Sequence, residues 1–293
     1  MRWQIRPFQA AVDREWVKRL WRSAMPPQWP LLPGALGLLD AGLVARTGSA
    51  PVGFVAVDPA GSIPLILVDP GYQRRGIGTA LLQAALGQVR AAGARSVTAG
   101  SGGAAYIWPG VPADLPGAVR FFAARGWRHT HDTLDLVADL AGYRPPPGAI
   151  ERAVGAGVAI ARAAGADLGG VQAFEAATFP SWARWFAAAG PETILLARDR
   201  SETITGSLLI DGPGAATVFA PLLGPAAGTI GCVGVAPPWQ GQGIGTALVA
   251  HASRLLGHAG VRTCHIGWTT RESFYRRVGY QPWRRYAMFS SPA

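Results

Sequence analysis

The apolar positions of this chain alternate between a strand-like and a helix-like period, and the alternation outlines a mixed α/β (α+β) sheet fold. Residues 5–8 read as a first strand, and residues 13–23 as a helix with Trp16 and Leu20 on one face. Proline-rich residues 26–33 break the pattern. Residues 42–46, 51–57 and 63–68 are apolar, β-prone runs separated by turn residues; 78–90 returns to helical spacing and 95–99 is the next strand. Residues 127–140 supply the closing strands of this half. The same order then restarts. Residues 158–162 read as a strand, 167–177 as a helix with Asp167 expected at its cap, and 180–189 as an aromatic-rich helix. Expected strands follow at 193–197, 203–210 and 216–222.

The last third of the chain holds the stretch around which the rest is organised. Gly231-Cys232-Val233-Gly234-Val235 is a short buried strand, and Pro237-Pro238 stops it. Gln240-Gly241-Gln242-Gly243-Ile244-Gly245-Thr246-Ala247-Leu248 then opens a helix whose apolar positions Leu248, Val249, Ala252, Leu255 and Leu256 end at Gly257 and Gly260. Small residues between strand and helix let backbone N–H groups converge on an anion, where the helix dipole favours negative charge. A diphosphate suits such a cradle. The stretch occurs twice: Gln73-Arg74-Arg75-Gly76-Ile77-Gly78-Thr79-Ala80-Leu81 carries the same Gly-Ile-Gly-Thr-Ala-Leu core. The copies lie a domain length apart, so the sequence predicts two tandem domains, 1–143 and 150–293, joined by a proline-rich linker at 144–149.

Gln-x-x-Gly-x-Gly lacks the Gly-Lys-Ser/Thr of a nucleotide P-loop and differs from the Gly-x-Gly-x-x-Gly of a dinucleotide fold. Each copy follows a Val-x-Pro strand end and precedes an aromatic pair with a Gly-aromatic, Phe121-Phe122 with Gly126-Trp127 and Phe274-Tyr275 with Gly279-Tyr280. With both motifs present twice and in order, the chain resembles the GCN5-related N-acetyltransferases (GNAT) over nearly its whole length. The resemblance implies two tandem GNAT folds and acetyl-CoA as co-substrate. It places the acyl carrier against Val233 and Val235 and the cradle Gln240, Gly241, Gln242, Gly243, Ile244, Gly245, Thr246 and Ala247 in the second half. In the first half the matching positions are Val68, Gln73, Arg74, Arg75, Gly76, Ile77, Gly78 and Thr79.

Acyl transfer from a thioester to an amine needs a neutral amine, a stabilised oxyanion and a proton for the leaving thiolate. Tyr275 stands where family members keep a tyrosine beside the sulfur, whereas Phe122 stands there in the first half. Catalysis is therefore expected in the second half, with Tyr106 the substitute acid if the first is active. The expected strand at 229–235 holds no carboxylate. His265 is the titratable candidate for the base, and Glu192, Glu202 and Asp211 could act through water. The first half has extra residues after its fifth strand, including Tyr106 and Trp108, in a place the resemblance puts near the acyl group and acceptor. Trp268 lies near where the family often keeps an asparagine. The loop pattern is also similar to tandem acetyltransferases that accompany amino-sugar hydrolases, which makes an amino sugar the favoured amine. An aminoglycoside, a polyamine, an amino acid or a protein N-terminus are the alternatives, and an acyl-CoA-binding protein without turnover is the rival class.

Composition changes this picture little. With 49% hydrophobic and 15% charged residues among 293, the chain is expected to be globular, and its net charge of +10 is spread along it as arginines, Lys18 being the sole lysine. Nucleic acid is not an expected partner. No stretch reads as a membrane span or leader, so a cytoplasmic monomer or homodimer is expected, with no metal. Cys232 and Cys264 fall on neighbouring strands and suggest buried small side chains rather than a disulfide framework.

Overall fold

The computed structural model describes residues 3–32, 35, 41–100, 108–214 and 219–293. The first elements in chain order are β1 (Gln4–Pro7), α1 (Ala10–Ala24), β2 (Gly42–Thr47), β3 (Ala50–Asp58), β4 (Ser62–Val68), α2 (Ile77–Ala91), β5 (Ser96–Ala99), β6 (Val111–Pro112), α3 (Pro116–Ala123) and β7 (Arg128–Asp139). After them come α4 (Glu151–Gly155), β8 (Ala159–Arg162), α5 (Leu168–Thr178), α6 (Ala183–Ala187), β9 (Ile194–Arg198) and β10 (Ile204–Asp211). The chain ends with α7 (Ala220–Leu223), β11 (Ala227–Val235), α8 (Ile244–His258), β12 (Thr263–Thr269), α9 (Glu272–Arg276) and β13 (Gln281–Pro292).

These elements form two compact units, Met1–Thr133 with Arg284–Ala293, and Leu134–Trp283. The proline-rich segment 144–149 thus lies inside the second unit. The cause is a pair of long strands. The second half of β7 pairs with β12 (Thr263↔Asp139 to Thr269↔Leu134) and so completes the second unit, while the end of β13 pairs with β5 (Phe289↔Ala99 to Pro292↔Ser96) and completes the first.

In the first unit the sheet runs β1-β2-β3-β4-β5-β13, antiparallel except for the parallel β4–β5 contact. Helix α2 covers one face because Ile77, Leu81, Ala85 and Val89 recur every fourth residue, joined by Leu82 and Leu86 on the same buried side. Each buried leucine contributes about 1.5–3 kcal/mol against Val55, Val57 and Ile63 beneath. The second unit repeats the plan as β7-β12-β11-β10-β9-β8, with β11–β12 parallel. There α8 buries Ile244, Ala247, Leu248, Ala252 and Leu256 against Leu136, Leu208, Ile230 and Ile266. A separate cluster of Val171, Phe186, Ile194 and Leu196 sits beneath α5 and α6.

Three expected elements come out differently. The strand at 216–222 is replaced, over its described end, by helix α7, which Pro221 can start because its missing N–H is not needed in a first turn. The aromatic helix at 180–189 shrinks to α6, since a turn at Phe179 to Trp182 occupies its beginning. Asp167 does precede α5, but its carboxylate accepts from the Ala164 N–H and pairs with Arg198 at 2.8 Å instead of capping the helix. Cys232 and Cys264 are free thiols.

Candidate active site

Strand β11 is irregular where the site begins. Ser207 opposes Gly234 but Leu209 opposes Gly231, so β11 carries one extra residue, and Cys232 takes φ 50° there. On its other side β11 pairs with β12 only from Ala227↔Thr263 to Thr229↔His265. Beyond that pair β12 follows β7 instead, through a second bulge at which Trp268 takes φ 51°. The two strands therefore part beside Cys232 and Val233, leaving a slot that leads to Val235 and the cradle.

Gly243 caps α8 in the left-handed region at φ 84°. Gln240 Nε2 donates to the Val235 carbonyl at 2.9 Å and ties the loop to the strand end. The amides of Gly241 to Thr246 take no main-chain acceptor among the described residues, so they are available to an anion at the helix N-terminus. Gly245 packs closely, a Cβ there lying 3.4 Å from the Phe274 ring. Arg152 adds a cation: its side chain lies against Gly243, within 3.1 Å of where a Cβ would be. Arg152 carries no signature in the sequence, because it arrives from the short α4 rather than from the motif.

The first cradle has the same backbone, with Gly76 at φ 85° capping α2 and Gln73 Nε2 donating to the Val68 carbonyl at 3.1 Å. Its surroundings differ. Trp3 rather than an arginine lies against Gly76. Arg125 donates to Thr79 Oγ1 from Nε at 3.0 Å and from Nη2 at 2.6 Å, and its guanidinium lies 3.8 Å from the centre of the Phe121 ring. Arg74 takes φ 59°, the same left-handed turn that Gly241 makes at φ 79° in the second cradle, and the Arg75 guanidinium lies 5.4 Å from the centre of the Tyr72 ring. Trp108 is buried, stacks on Trp21 at 5.5 Å, meets Trp29 edge-on at 5.4 Å, and donates from Nε1 to the Pro64 carbonyl at 3.0 Å. Tyr106 lies outside the described residues.

In the second unit Tyr275 sits on α9, 7% exposed, and burial first, then neighbouring Cys232, holds its hydroxyl well above the usual phenol range. The hydroxyl is protonated at any working pH. Phe122 is its buried counterpart in α3. His265 is also buried, with Nε2 3.4 Å from Asp135 Oδ2 on β7, and Phe219 and Trp283 meet its ring at 5.4 and 5.7 Å. Asp135 Oδ1 accepts the Trp268 N–H at 2.9 Å, which fixes the second bulge and leaves the Trp268 indole 46% exposed. A second buried carboxylate, Glu175 on α5, accepts from the Ser207 hydroxyl, and burial pushes its pKa up to about 7 against that bond. Burial, and then Glu175, push the Cys232 thiol up to about 12. Neither Asp135 nor Glu175 was visible as a site residue in the sequence. Among the described residues no group of three or more His, Cys, Asp or Glu is placed to hold a metal, and no helix is long and apolar enough to cross a membrane.

A parted parallel strand pair running into a helix-capping cradle, built twice on one plan, defines a tandem acyl-group transferase. Comparison with known proteins gives the family. Residues 4–127 match the model of the Acetyltransferase (GNAT) family, and residues 191–282 match a second Acetyltransferase (GNAT) domain model. A mycothiol acetyltransferase of Clavibacter sepedonicus is 30% identical over 238 residues, covering 74% of this chain and 68% of the relative. Among solved structures, a GCN5-related glucosamine N-acetyltransferase region of a fungal multi-domain GH3 beta-N-acetylglucosaminidase is 29% identical with a TM-score of 0.90. It covers 99% of this chain, which spans only 38% of that larger protein. A tandem GNAT protein from the clavulanic acid biosynthesis pathway, 19% identical with a TM-score of 0.66 over 99% of this chain, shares the fold. The chain belongs to the GNAT family and is an acetyltransferase with two such domains in tandem.

Proposed function

We propose that the second unit transfers an acetyl group from acetyl-CoA to the primary amine of a small molecule, an amino sugar by preference, while the first unit serves as its structural partner. The observation that carries the acceptor class is the likeness, over 99% of this chain, to a region named for glucosamine N-acetylation. The division of labour rests on contrasts between the cradles. Both cradles leave their amides without main-chain acceptors among the described residues, but the second adds Arg152 and has a buried tyrosine behind it, whereas the first has Trp3 against its cap, Phe122 behind it, and Trp108 filling the space beside β4.

The amides of Gly241 to Thr246 and the Arg152 guanidinium would bind the pyrophosphate, and the Val233 to Val235 backbone would hold the acyl arm. When bound, acetyl-CoA supplies the activated acetyl thioester. Tyr275 gives its proton to the departing sulfur, a role suited to a hydroxyl that burial keeps protonated. On the acceptor side the exposed Trp268 indole offers an apolar face to a sugar ring, and His265, held by Asp135, offers a ring nitrogen to a hydroxyl.

The test is a panel of amines, glucosamine, an aminoglycoside, spermidine, an amino acid and a cysteine-bearing amino-sugar conjugate, assayed for thiol release with wild type and Tyr275→Phe. Glucosamine-type acceptors should give the highest kcat/KM, and the variant should lose roughly 10²–10⁴-fold with acetyl-CoA binding intact. Preference for spermidine or a free amino acid would refute the acceptor class, and an unaffected variant would remove Tyr275 from the chemistry.

A further inference from the structure

Transfer to an amine requires that an ammonium ion first lose a proton, and the strand that borders the slot supplies no carboxylate for that purpose. We propose that Glu175, from helix α5, is the general base of the second unit, an assignment that rests on the acetyl-transfer reading above. Glu175 is fully buried, and its two oxygens are treated differently. Oε1 accepts from Ser207, whereas Oε2 has no hydrogen-bond partner among the described residues. Folded proteins rarely leave a buried carboxylate oxygen unmatched unless a partner arrives from outside.

Its position fits that partner. Ser207 opposes Gly234 across β10 and β11, next to the bulged Cys232. Phe179, one turn along from Glu175, packs so closely on Gly234 that no side chain could be added there. Cys232 packs against the apolar cluster of α5 and α6 and is the electrostatic neighbour of both Glu175 and Tyr275, so the base and the acid lie near one irregular residue of β11. His265 lies elsewhere: it opposes Thr229, where β11 and β12 are still paired, and its Nε2 faces Asp135. That place suits an acceptor contact better than deprotonation beside the sulfur.

In the step so defined, Glu175 takes one proton from the ammonium, and the freed nitrogen lone pair forms the N–C bond to the thioester carbonyl. The C–S bond breaks as Tyr275 protonates the sulfur. The nitrogen's second proton restores the Tyr275 hydroxyl, and Glu175 releases its proton to solvent, so one proton leaves per acetyl transferred. A carboxyl titrating near neutrality is matched to this work. The titratable group that faces it is Cys232 on β11, and the charged and titratable neighbours of Cys232 in turn are Arg184 on α6 and Tyr275 on α9. Asp167 lies two turns away along α5 and is engaged by Arg198.

The experiment is the pH dependence of kcat/KM for wild type, Glu175→Gln, Ser207→Ala and His265→Gln, with glucosamine and with an aniline-type acceptor that is already neutral at pH 7. Glu175→Gln keeps an oxygen for Ser207, so calorimetry should return wild-type acetyl-CoA affinity. With glucosamine it should lose about 10²–10⁴-fold and the acidic limb of the profile, and with the neutral acceptor it should lose far less. Ser207→Ala removes a bond that favours ionisation, so its acidic limb should move to higher pH. If wild type acetylates amines but Glu175→Gln stays within threefold, or the limb disappears only in His265→Gln, Glu175 is not the base and the acetyl-transfer reading stands. If wild type binds acetyl-CoA and acetylates no amine, both fall together.

Discussion

Two glycines of the second cradle should behave in opposite ways when given a methyl group. At Gly243 the backbone has φ 84°, a conformation that costs an L-residue about 1–2 kcal/mol. The added Cβ would also lie 3.1 Å from the Arg152 Cβ, so Arg152 must shift by a few tenths of an ångström. At Gly245 the φ is ordinary, and a Cβ would meet Phe274 at 3.4 Å and Val235 at 3.5 Å, which is normal van der Waals contact. Alanine there gains no more than about 0.5 kcal/mol, the low end of the glycine-to-alanine helix scale, because it sits in the first turn. Urea denaturation should therefore place Gly243→Ala about 1–2 kcal/mol below wild type and Gly245→Ala level with it or slightly above. Calorimetric titration of acetyl-CoA should follow the same order. A displaced amide in a charge-assisted bond forfeits about 1.5–3 kcal/mol, so Gly243→Ala should bind roughly 10- to 100-fold more weakly while Gly245→Ala binds normally. If Gly243→Ala kept full stability and affinity, neither the left-handed cap nor the neighbouring Arg152 would matter to the cradle. The α8 N-terminus would then not be the anion site.

Blocking the cradles separately, with Gly78→Glu and Gly245→Glu, should show one acetyl-CoA site in titration, lost only with Gly245→Glu; a second site lost with Gly78→Glu would make the first unit a binding domain too. Glu175 also predicts a pH signature in stability. Its folded pKa of about 7 stands above the ordinary 4.5, so the folded state holds the proton more tightly, and the contribution is complete below about 4.5 and lost as pH rises through about 7. The stability difference between wild type and Glu175→Gln should shift against wild type across that window and be level on either side; a flat difference would mean that Glu175 is ionised throughout.

Local signals were legible in the sequence, and long-range ones were not. The cradles could be read because strand end, proline turn, glycine cap and helix start lie within some fifteen residues, and the backbone built from them is the one expected. Tyr275 was located by its place in a motif. Asp135 could not be found this way, because its partners His265 and Trp268 lie at the other end of the chain and meet it only through the pairing of β7 with β12. Glu175 reads in sequence as one polar position on a helix, and only the register that sets Ser207 beneath it shows that the carboxylate is buried. Trp108 was expected beside a substrate from its place in an aromatic loop; Trp21 and Trp29, far upstream, instead enclose it. The division at the proline-rich segment followed the sequence repeat, whereas the compact units follow where β7 and β13 end.

That crossing of strands bears on how the chain reaches its native state. Most of the first unit leaves the ribosome before the second, yet its sheet lacks the edge that β13 gives to β5 until Phe289 to Pro292 have been made. Until then β5 exposes unpaired backbone, the kind of edge that recruits wrong partners. Pairing across so many intervening residues is slow, because the loop must close before any contact rewards it. The second unit holds its β7 segment from early in synthesis and can consolidate first. The half proposed to carry the chemistry is thus able to mature ahead of the half made before it, and removal of residues 284–293 would injure a unit built mainly from residues 1–133.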